Sequence, residues 1–306
     1  MENKIIVIGS ANTDLTIHSD VMPKLGETLV GSNFQINAGG KGLNQAVAIA
    51  KLGGKVSFLG AVGNDSNGRF LLNTLKEYGV VFEGFISESA PTGTAMITVV
   101  GGDNFILLDA GANNTLTPKV VRKKSQLIAQ SDFCVLQLEI PTETVLEICK
   151  IAKENGTKVV LNPAPFKKLP NEVYGLVDYL VPNEYEAEAL TGVFIRDDDS
   201  AVEAVQKIKA LGAKNVIITL GGRGSIYSRG DEILFHAAKK VKAVDTTSAG
   251  DCFIGAFVTA LSQNKSVSEA ITVATKAAAI TVTREGAAKS IPFAKEIRGD
   301  NGCFPT

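Results

Sequence analysis

The sequence predicts a three-layer α/β/α domain with a mostly parallel central sheet, to which a small antiparallel β lid is added. Three observations point there. Short apolar runs rich in Val, Ile and Leu recur along the chain, helical patterns alternate with them, and two stretches break that alternation with strand-like periodicity of their own. The chain has 306 residues, 45% of them hydrophobic and 21% charged, which supplies apolar surface for a large core and excludes a disordered class. We read residues 1–306 as one domain, since α/β folds often run past about 200 residues as a single unit.

The apolar runs KIIVIG (4–9), KVSFLG (55–60), FCVLQL (133–138), KVVLN (158–162), YLV (179–181) and NVIITL (215–220) have strand length and no polar alternation, as strands buried on both faces do. Between them lie GLNQAVAIAKLG, GRFLLNTLKEYG, TETVLEICKIAKENG and AVEAVQKIKALG, helical in period and each ending on a glycine suited to a left-handed C-cap. Such alternation gives a parallel sheet with helices on both faces. The exceptions are TLVGSNFQI (28–36) and GTAMITVVGGDNFILLDAGAN (93–113), where alternating apolar residues surround a Gly-Gly-Asp-Asn turn. They predict lid strands inserted at about 14–37 and 93–110. Open edges and apolar side chains on such a sheet call for cover, so a homodimer through the lid is expected.

A formal net charge of −1 provides no field for nucleic acid or an anionic membrane, and Arg122-Lys123-Lys124 reads as solvated helix surface. MENKIIVIGSAN is too short in its apolar run for a signal sequence or a membrane span, so a cytoplasmic protein is expected. Cys134, Cys149, Cys252 and Cys303 lie far apart and read as reduced thiols. The two histidines, His18 and His236, have no ligand-spaced partners, which argues against zinc and against a Ser-His-Asp triad; both read as residues near strand surfaces. RDDDS (196–200) reads as a cap for the helix after it.

Chemistry concentrates in a few segments. In AVDTTSAGDCF (243–253) a buried-looking strand ends at Asp245, small residues follow, and Ala249, Gly250 and Asp251 open an apolar helix. Their N–H groups precede the first intrahelical carbonyl and suit an anion, which small side chains let approach. Asp251 either stabilises the helix start or acts as a weak base, its pKa lowered by the helix dipole. Phosphoryl transfer, with late proton removal from an alcohol, tolerates a weak base. NAGGKGLNQA (37–46) fits neither G-x-x-x-x-G-K-[ST] nor G-x-G-x-x-G; it is either a flexible loop or a close backbone approach to a polyhydroxylated ligand beside Lys41 and Asn44.

Asn12 and Asp14 lie just beyond the first strand and Glu139 beyond FCVLQL, at the sheet edge where parallel α/β folds bind ligands. Such acceptors suit sugar hydroxyls or serve as ordinary loop and cap groups. Asn183 and Glu186 in VPNEYEAE share a helix face and suit Mg²⁺ held through water with phosphate, or a plain N-cap. TLGGRGS (219–225) is a Gly-rich turn able to lie beneath a nucleotide.

GSANTD, GGKGLNQA, DAGAN, LQLEIP, LNPAP, the N-x-x-E of NEYE, TLGGRG and DTTSAGD occur in one order along the chain, and together they make it resemble the ribokinase/PfkB carbohydrate kinase family, which includes adenosine kinase and fructokinases. The match runs nearly end to end, and GGKG with the Asn-Gln-Ala of 44–46 points to the branch acting on ribose. The resemblance implies ATP-dependent phosphorylation of D-ribose at its 5-hydroxyl. It implies Asp251 as catalytic base and the amides of Ala249, Gly250 and Asp251 as an anion hole. Asn12, Asp14, Gly40, Lys41, Asn44 and Glu139 would hold the sugar. Asn183, Thr219, Leu220, Gly221, Gly222, Arg223, Gly224 and Gly250 would line the ATP site, with Glu186 organising Mg²⁺. An activating K⁺ would sit on oxygens, many from the backbone, of Asp245, Thr247, Thr281, Arg284, Gly286 and Ser290. Two departures stand out: Cys252 follows the catalytic Asp where Thr is frequent, which suggests thiol sensitivity, and KEIRGDNGCFPT lacks the apolar pattern of a terminal helix.

Two rival readings keep their place. The same mechanism could serve another pentose, deoxyribose or a nucleoside, although a nucleoside needs an apolar base pocket. A sugar- or nucleotide-responsive binding protein without turnover would not require Asp251.

Overall fold

The computed structural model of the chain describes residues 3–298 apart from 102 and 231. Its strands are β1 (Lys4–Ile8), β2 (Asn12–Ser19), β3 (Ser32–Gly39), β4 (Lys55–Leu59), β5 (Ala61–Gly63), β6 (Val81–Phe82), β7 (Phe85–Ser87), β8 (Gly93–Val100), β9 (Asp103–Asp109), β10 (Phe133–Leu136), β11 (Lys158–Leu161), β12 (Tyr179–Leu180), β13 (Asn215–Thr219), β14 (Gly224–Arg229) and β15 (Glu232–Ala237). The helices are α1 (Lys41–Lys51), α2 (Ser66–Glu77), α3 (Pro118–Lys123), α4 (Ser125–Ala129), α5 (Thr142–Asn155), α6 (Glu172–Leu176), α7 (Glu184–Thr191), α8 (Asp198–Ala210), α9 (Ala249–Ser262), α10 (Val267–Thr281) and α11 (Ala294–Arg298).

Nine strands form the central sheet in the order β15-β14-β13-β12-β11-β10-β1-β4-β6, parallel from β13 to β6. Alternate residues of one strand feed two separate cores, as the pleat requires. Ile5 and Val7 pack with α1, α2, α9 and α10, whereas Ile6 and Ile8 pack with α3, α4, α5 and α8. Phe257 of α9 is fully buried and meets Tyr179 edge-on at 5.4 Å between centroids, which fixes α9 against the sheet. α5 stops at Gly156, a left-handed C-cap with φ 75°, and Asp197 and Ser200 form a capping box at the start of α8, both as the sequence predicts.

From β1 the chain builds outward through β4 and β6, then crosses back to place β10 on the other side of β1. This reversal makes the carboxyl ends of β1 and β10 a topological switch point, where a crevice opens. β2, β3, β8 and β9 form a second sheet, order β3-β2-β8-β9. β2 leaves β1 after only Gly9, Ser10 and Ala11, so the two sheets meet at the switch point.

Several expectations need correction. The second sheet is mixed, because β2 and β8 pair in parallel while β2–β3 and β8–β9 are antiparallel. Asn12 and Asp14 lie within β2 instead of in a loop after β1, and 28–31 precede β3 instead of belonging to it. The hairpin β14–β15 adds an antiparallel edge that the sequence pattern does not separate from loop. Residues 243–245 carry no strand; the Val244 and Asp245 amides donate instead to the Val282 carbonyl, so an exposed loop leads into α9. α11 is present at 294–298 despite its weak apolar pattern, while Cys303 and the tail from 299 lie outside the described residues, as does Gly102 of the expected turn.

Candidate active site

Asp251 stands in the first turn of α9, 7% exposed. Its Oδ1 accepts from Gln45 Nε2 at 2.9 Å and its Oδ2 from Asn44 Nδ2 at 3.2 Å. Asn44 Nδ2 also donates to Ser248 Oγ at 3.1 Å, which ties the start of α9 to α1. Ser248 holds φ 59°, a left-handed conformation uncommon outside glycine, and so turns the loop sharply into the helix. From the sequence, the helix dipole is expected to lower the Asp251 pKa. Burial instead raises it, against the pull of the Lys41 charge and the two amide donors.

Two cavities meet at this carboxylate. One, about 600 Å³, lies between the two sheets and is lined by Asn12, Asp14, Gly40, Lys41, Asn44 and Glu139 together with loop 244–248 and the inner face of the small sheet. The other, about 190 Å³, is lined by Asn162, Asn183, Glu186, Thr219 and Gly250 among others. Lys41, Thr246, Ser248 and Asp251 line both. All six residues expected to hold a sugar thus share the larger cavity.

The close approach of backbone at NAGGKG has a definite geometry. A Cβ at Gly39 would lie 2.0 Å from Asp14 Oδ2, and Gly40, at φ 86°, would place one 2.8 Å from the Asn12 amide nitrogen. Any side chain there would close the cavity. Glu139 Oε2 accepts from the Lys41 amide at 3.0 Å and from the Ser10 hydroxyl, fixing the loop before α1. Asn12 Oδ1 accepts from Asn113 Nδ2 at 2.7 Å, so the Asn12 amide nitrogen is the end left to donate. Burial lowers the Lys41 pKa, but Asp251, Glu139 and Glu186 more than reverse this and keep the ammonium charged.

The second cavity follows from helix capping. Asn183 caps α7, its Oδ1 accepting from the Glu186 amide at 2.9 Å while Glu186 Oε2 accepts from the Asn183 amide at 2.8 Å. The plain N-cap and the cavity position are thus both present. Thr219 joins them through a parallel bridge to Asn183. Leu220 is a core side chain, 3% exposed, and can offer only backbone; Arg223 is paired with Glu184. Gly221 and Gly222 are exposed and Gly224 opens β14, so the 219–224 turn enters the cavity through Thr219 alone.

Of the three amides expected to form an anion hole, one is already engaged. Ala249 donates to the Thr246 carbonyl at 3.2 Å, whereas the Gly250 and Asp251 amides have no backbone partner among the described residues. The tight turn before the helix takes the first of them. Loop 244–247 is pinned to the segment after α10: Asp245 Oδ1 and Oδ2 accept from the Thr247 and Gly286 amides at 2.8 and 2.9 Å. Thr281 and Ser290 turn their hydroxyls to the Ala277 and Ala287 carbonyls, and Arg284 pairs with Glu296. Their side chains therefore do not converge on a cation, leaving backbone carbonyls as the donors available there. Cys252 is fully buried and its pKa is pushed up to about 12 by that burial, which removes the expected thiol sensitivity.

Sequence reading missed Gln45, Gln137, Asn162, Ser10 and Asn113. All but Ser10 and Asn113 form one buried amide chain running to Asp251, and each sits in a segment noticed only for other residues.

A profile of the pfkB family carbohydrate kinases matches residues 2–294. A ribokinase from Haemophilus influenzae is 46% identical over 298 residues, covering 97% of each chain. A deoxyribokinase from Salmonella typhi is 38% identical over 293 residues, covering 94% of this chain and 95% of its own. The structure of an Arabidopsis thaliana ribokinase complexed with ribose and ATP superposes with a TM-score of 0.92 at 32% identity, covering 98% of each chain.

Burial, with Glu139 and Asp251 adding repulsion, raises the Asp14 pKa from an ordinary 3.8 to about 7. Its folded-state proton is held more tightly than in the unfolded chain. That contribution to stability is full below about pH 4 and is lost as pH climbs to about 7. Replacing Asp14→Asn should therefore raise stability at pH 8 by roughly 1–3 kcal/mol and change it little at pH 4. Urea midpoints at the two pH values check this; equal shifts at both would contradict it.

Proposed function

The chain belongs to the pfkB family of carbohydrate kinases, and from that premise we propose that it transfers the γ-phosphoryl group of ATP to the 5-hydroxyl of D-ribose, giving D-ribose 5-phosphate and ADP. One observation carries this: Asp251 lies where the larger cavity, with Asn12, Asp14, Lys41, Asn44 and Glu139 on its wall, joins a second cavity at a helix N-terminus. The larger cavity takes the sugar, with Asn12, Asp14, Lys41, Asn44 and Glu139 on its hydroxyls, and the smaller takes the phosphates of ATP. Asp251, its pKa raised by burial, accepts the hydroxyl proton as the O–P bond forms, a modest demand in a loose transition state. Charge developing on the transferred group meets the Gly250 and Asp251 amides and the Lys41 ammonium.

Glu186 suits a Mg²⁺ ion reached through water, because its carboxylate is already engaged with Asn183 and no cluster of three or more His, Cys, Asp or Glu among the described residues could cage a metal. That ion would screen phosphate charge. The backbone around Asp245, Thr247, Arg284 and Gly286 suits K⁺, which would steady the loop entering α9. No helix among the described residues is long and apolar enough to cross a membrane.

The runner-up substrate is 2-deoxyribose, favoured by the Salmonella typhi relative; Ile97, Val99, Ile106 and Leu108 also line the larger cavity, so a nucleoside belongs in the same assay. A coupled assay of ADP release with Mg-ATP should show turnover with ribose above other sugars, and Asp251→Asn should lower kcat at least ~10³-fold while sugar binding persists. Binding without turnover in the wild type would instead establish a sensor. Omitting K⁺ should lower the rate severalfold, and equal rates in K⁺-free buffer would remove that ion from the site.

The outer face of the small sheet exposes Phe34, Ile36, Met96, Phe105 and Leu107, an apolar surface that suits a second copy of the chain. Met96→Glu with Leu107→Lys should convert a dimer to a monomer in light scattering; an unchanged mass would exclude this face.

A further inference from the structure

Gln45 is fully buried, and its side-chain amide has a fixed polarity. The fixing starts at a backbone group that cannot reverse: the Val181 carbonyl accepts from Asn162 Nδ2 at 2.9 Å, which turns Asn162 Oδ1 toward Gln45 Nε2, 3.4 Å away. On the other side Gln45 Oε1 accepts from Gln137 Nε2 at 2.6 Å. Nε2 is then the only end that can face Asp251 Oδ1, at 2.9 Å. Gln137 is also fully buried, and its own Oε1 finds no partner, an unfavourable arrangement kept beside the site. A reversed Gln45 would set oxygen against oxygen.

We propose that Gln45, oriented by Gln137 and Asn162, is a positioning residue that keeps Asp251 ionised by donating to Oδ1, leaving Oδ2, which Asn44 holds at the larger cavity, to take the proton of the acceptor hydroxyl. This rests on Asp251 being the base. The charged and titratable groups facing that carboxylate are Lys41 from α1, Glu139 after β10, Asp14 from β2, Glu186 from α7 and Cys252 beside it. The carboxylates and burial favour the protonated acid; Lys41, Gln45 and Asn44 oppose them. Lys41 and Asn44 line the larger cavity, whereas Gln45 lines neither, so its contribution can be separated from ligand binding.

The test is the pH profile of ribose-dependent ADP release from the full chain carrying Gln45→Met or Gln137→Met. Losing a donor to the carboxylate raises its pKa, so the acidic limb of kcat/KM should move up by about one pH unit in Gln45→Met, with kcat/KM on the acidic side of the limb down about tenfold. Activity should recover as pH rises, and KM for ribose should stay within about twofold. Gln137→Met, which does not touch Asp251, should shift the limb the same way by less. A kcat lowered equally at every pH, or a raised KM with an unmoved limb, overturns the proposal. Should circular dichroism show Gln45→Met unfolded, the limb of Gln137→Met decides. Turnover retained by Asp251→Asn would instead defeat the reading of Asp251 as base, a separate failure.

Discussion

A carboxylate removed from water at the start of a helix is the constraint around which this structure is arranged. Asp251 can stay there only because α1 meets α9 with Asn44 and Gln45 donating to both its oxygens and Lys41 supplying opposite charge. Left unpaired, a buried charge would destabilise the fold by far more than any single hydrogen bond stabilises it. The packing of α1 on α9, the glycines before α1 and the reach of Glu139 to the Lys41 amide all follow from that need.

The sheet topology supplies the rest. Because the chain grows from β1 in one direction and then returns to its other side, the carboxyl ends of β1 and β10 diverge and open a crevice. Ser10 follows β1, Gln137 and Glu139 follow β10, and Asn12 opens β2, so all four lie at that edge. Burial, with repulsion from Glu139 and Asp251 added to it, lets Asp14 keep its proton to about pH 7. Such strain is the usual mark of a site built for a ligand.

Much of this was legible in the sequence. Doubly buried strands read as unbroken Val and Ile runs, so β1, β4, β10, β11 and β13 stood out, as did the helices closed by glycine. The residues expected to touch a sugar converge because each lies close to a strand end, a place that pattern fixes. What escaped depends on partners distant in sequence. Gln45 and Gln137 are 92 residues apart, and nothing in either segment reveals that one amide sets the direction of the other. The burial that raises the Asp251 pKa is likewise a sum over the whole packed site. β2 was hidden because only three residues part it from β1, and β14 and β15 because an edge hairpin has a weak pattern.

β2 begins where β1 has barely ended, and this has a mechanical consequence. Asn12 and Asp14 are mounted on the small sheet, Glu139 follows β10 of the large one, Asp251 opens α9, and three short residues connect β1 to β2 at that corner. A molecule grasped by all four groups becomes a rivet across that corner. Tightness of grip and stiffness of the joint are then the same property, so a poorly fitting guest loosens the whole jaw along with its own bonds.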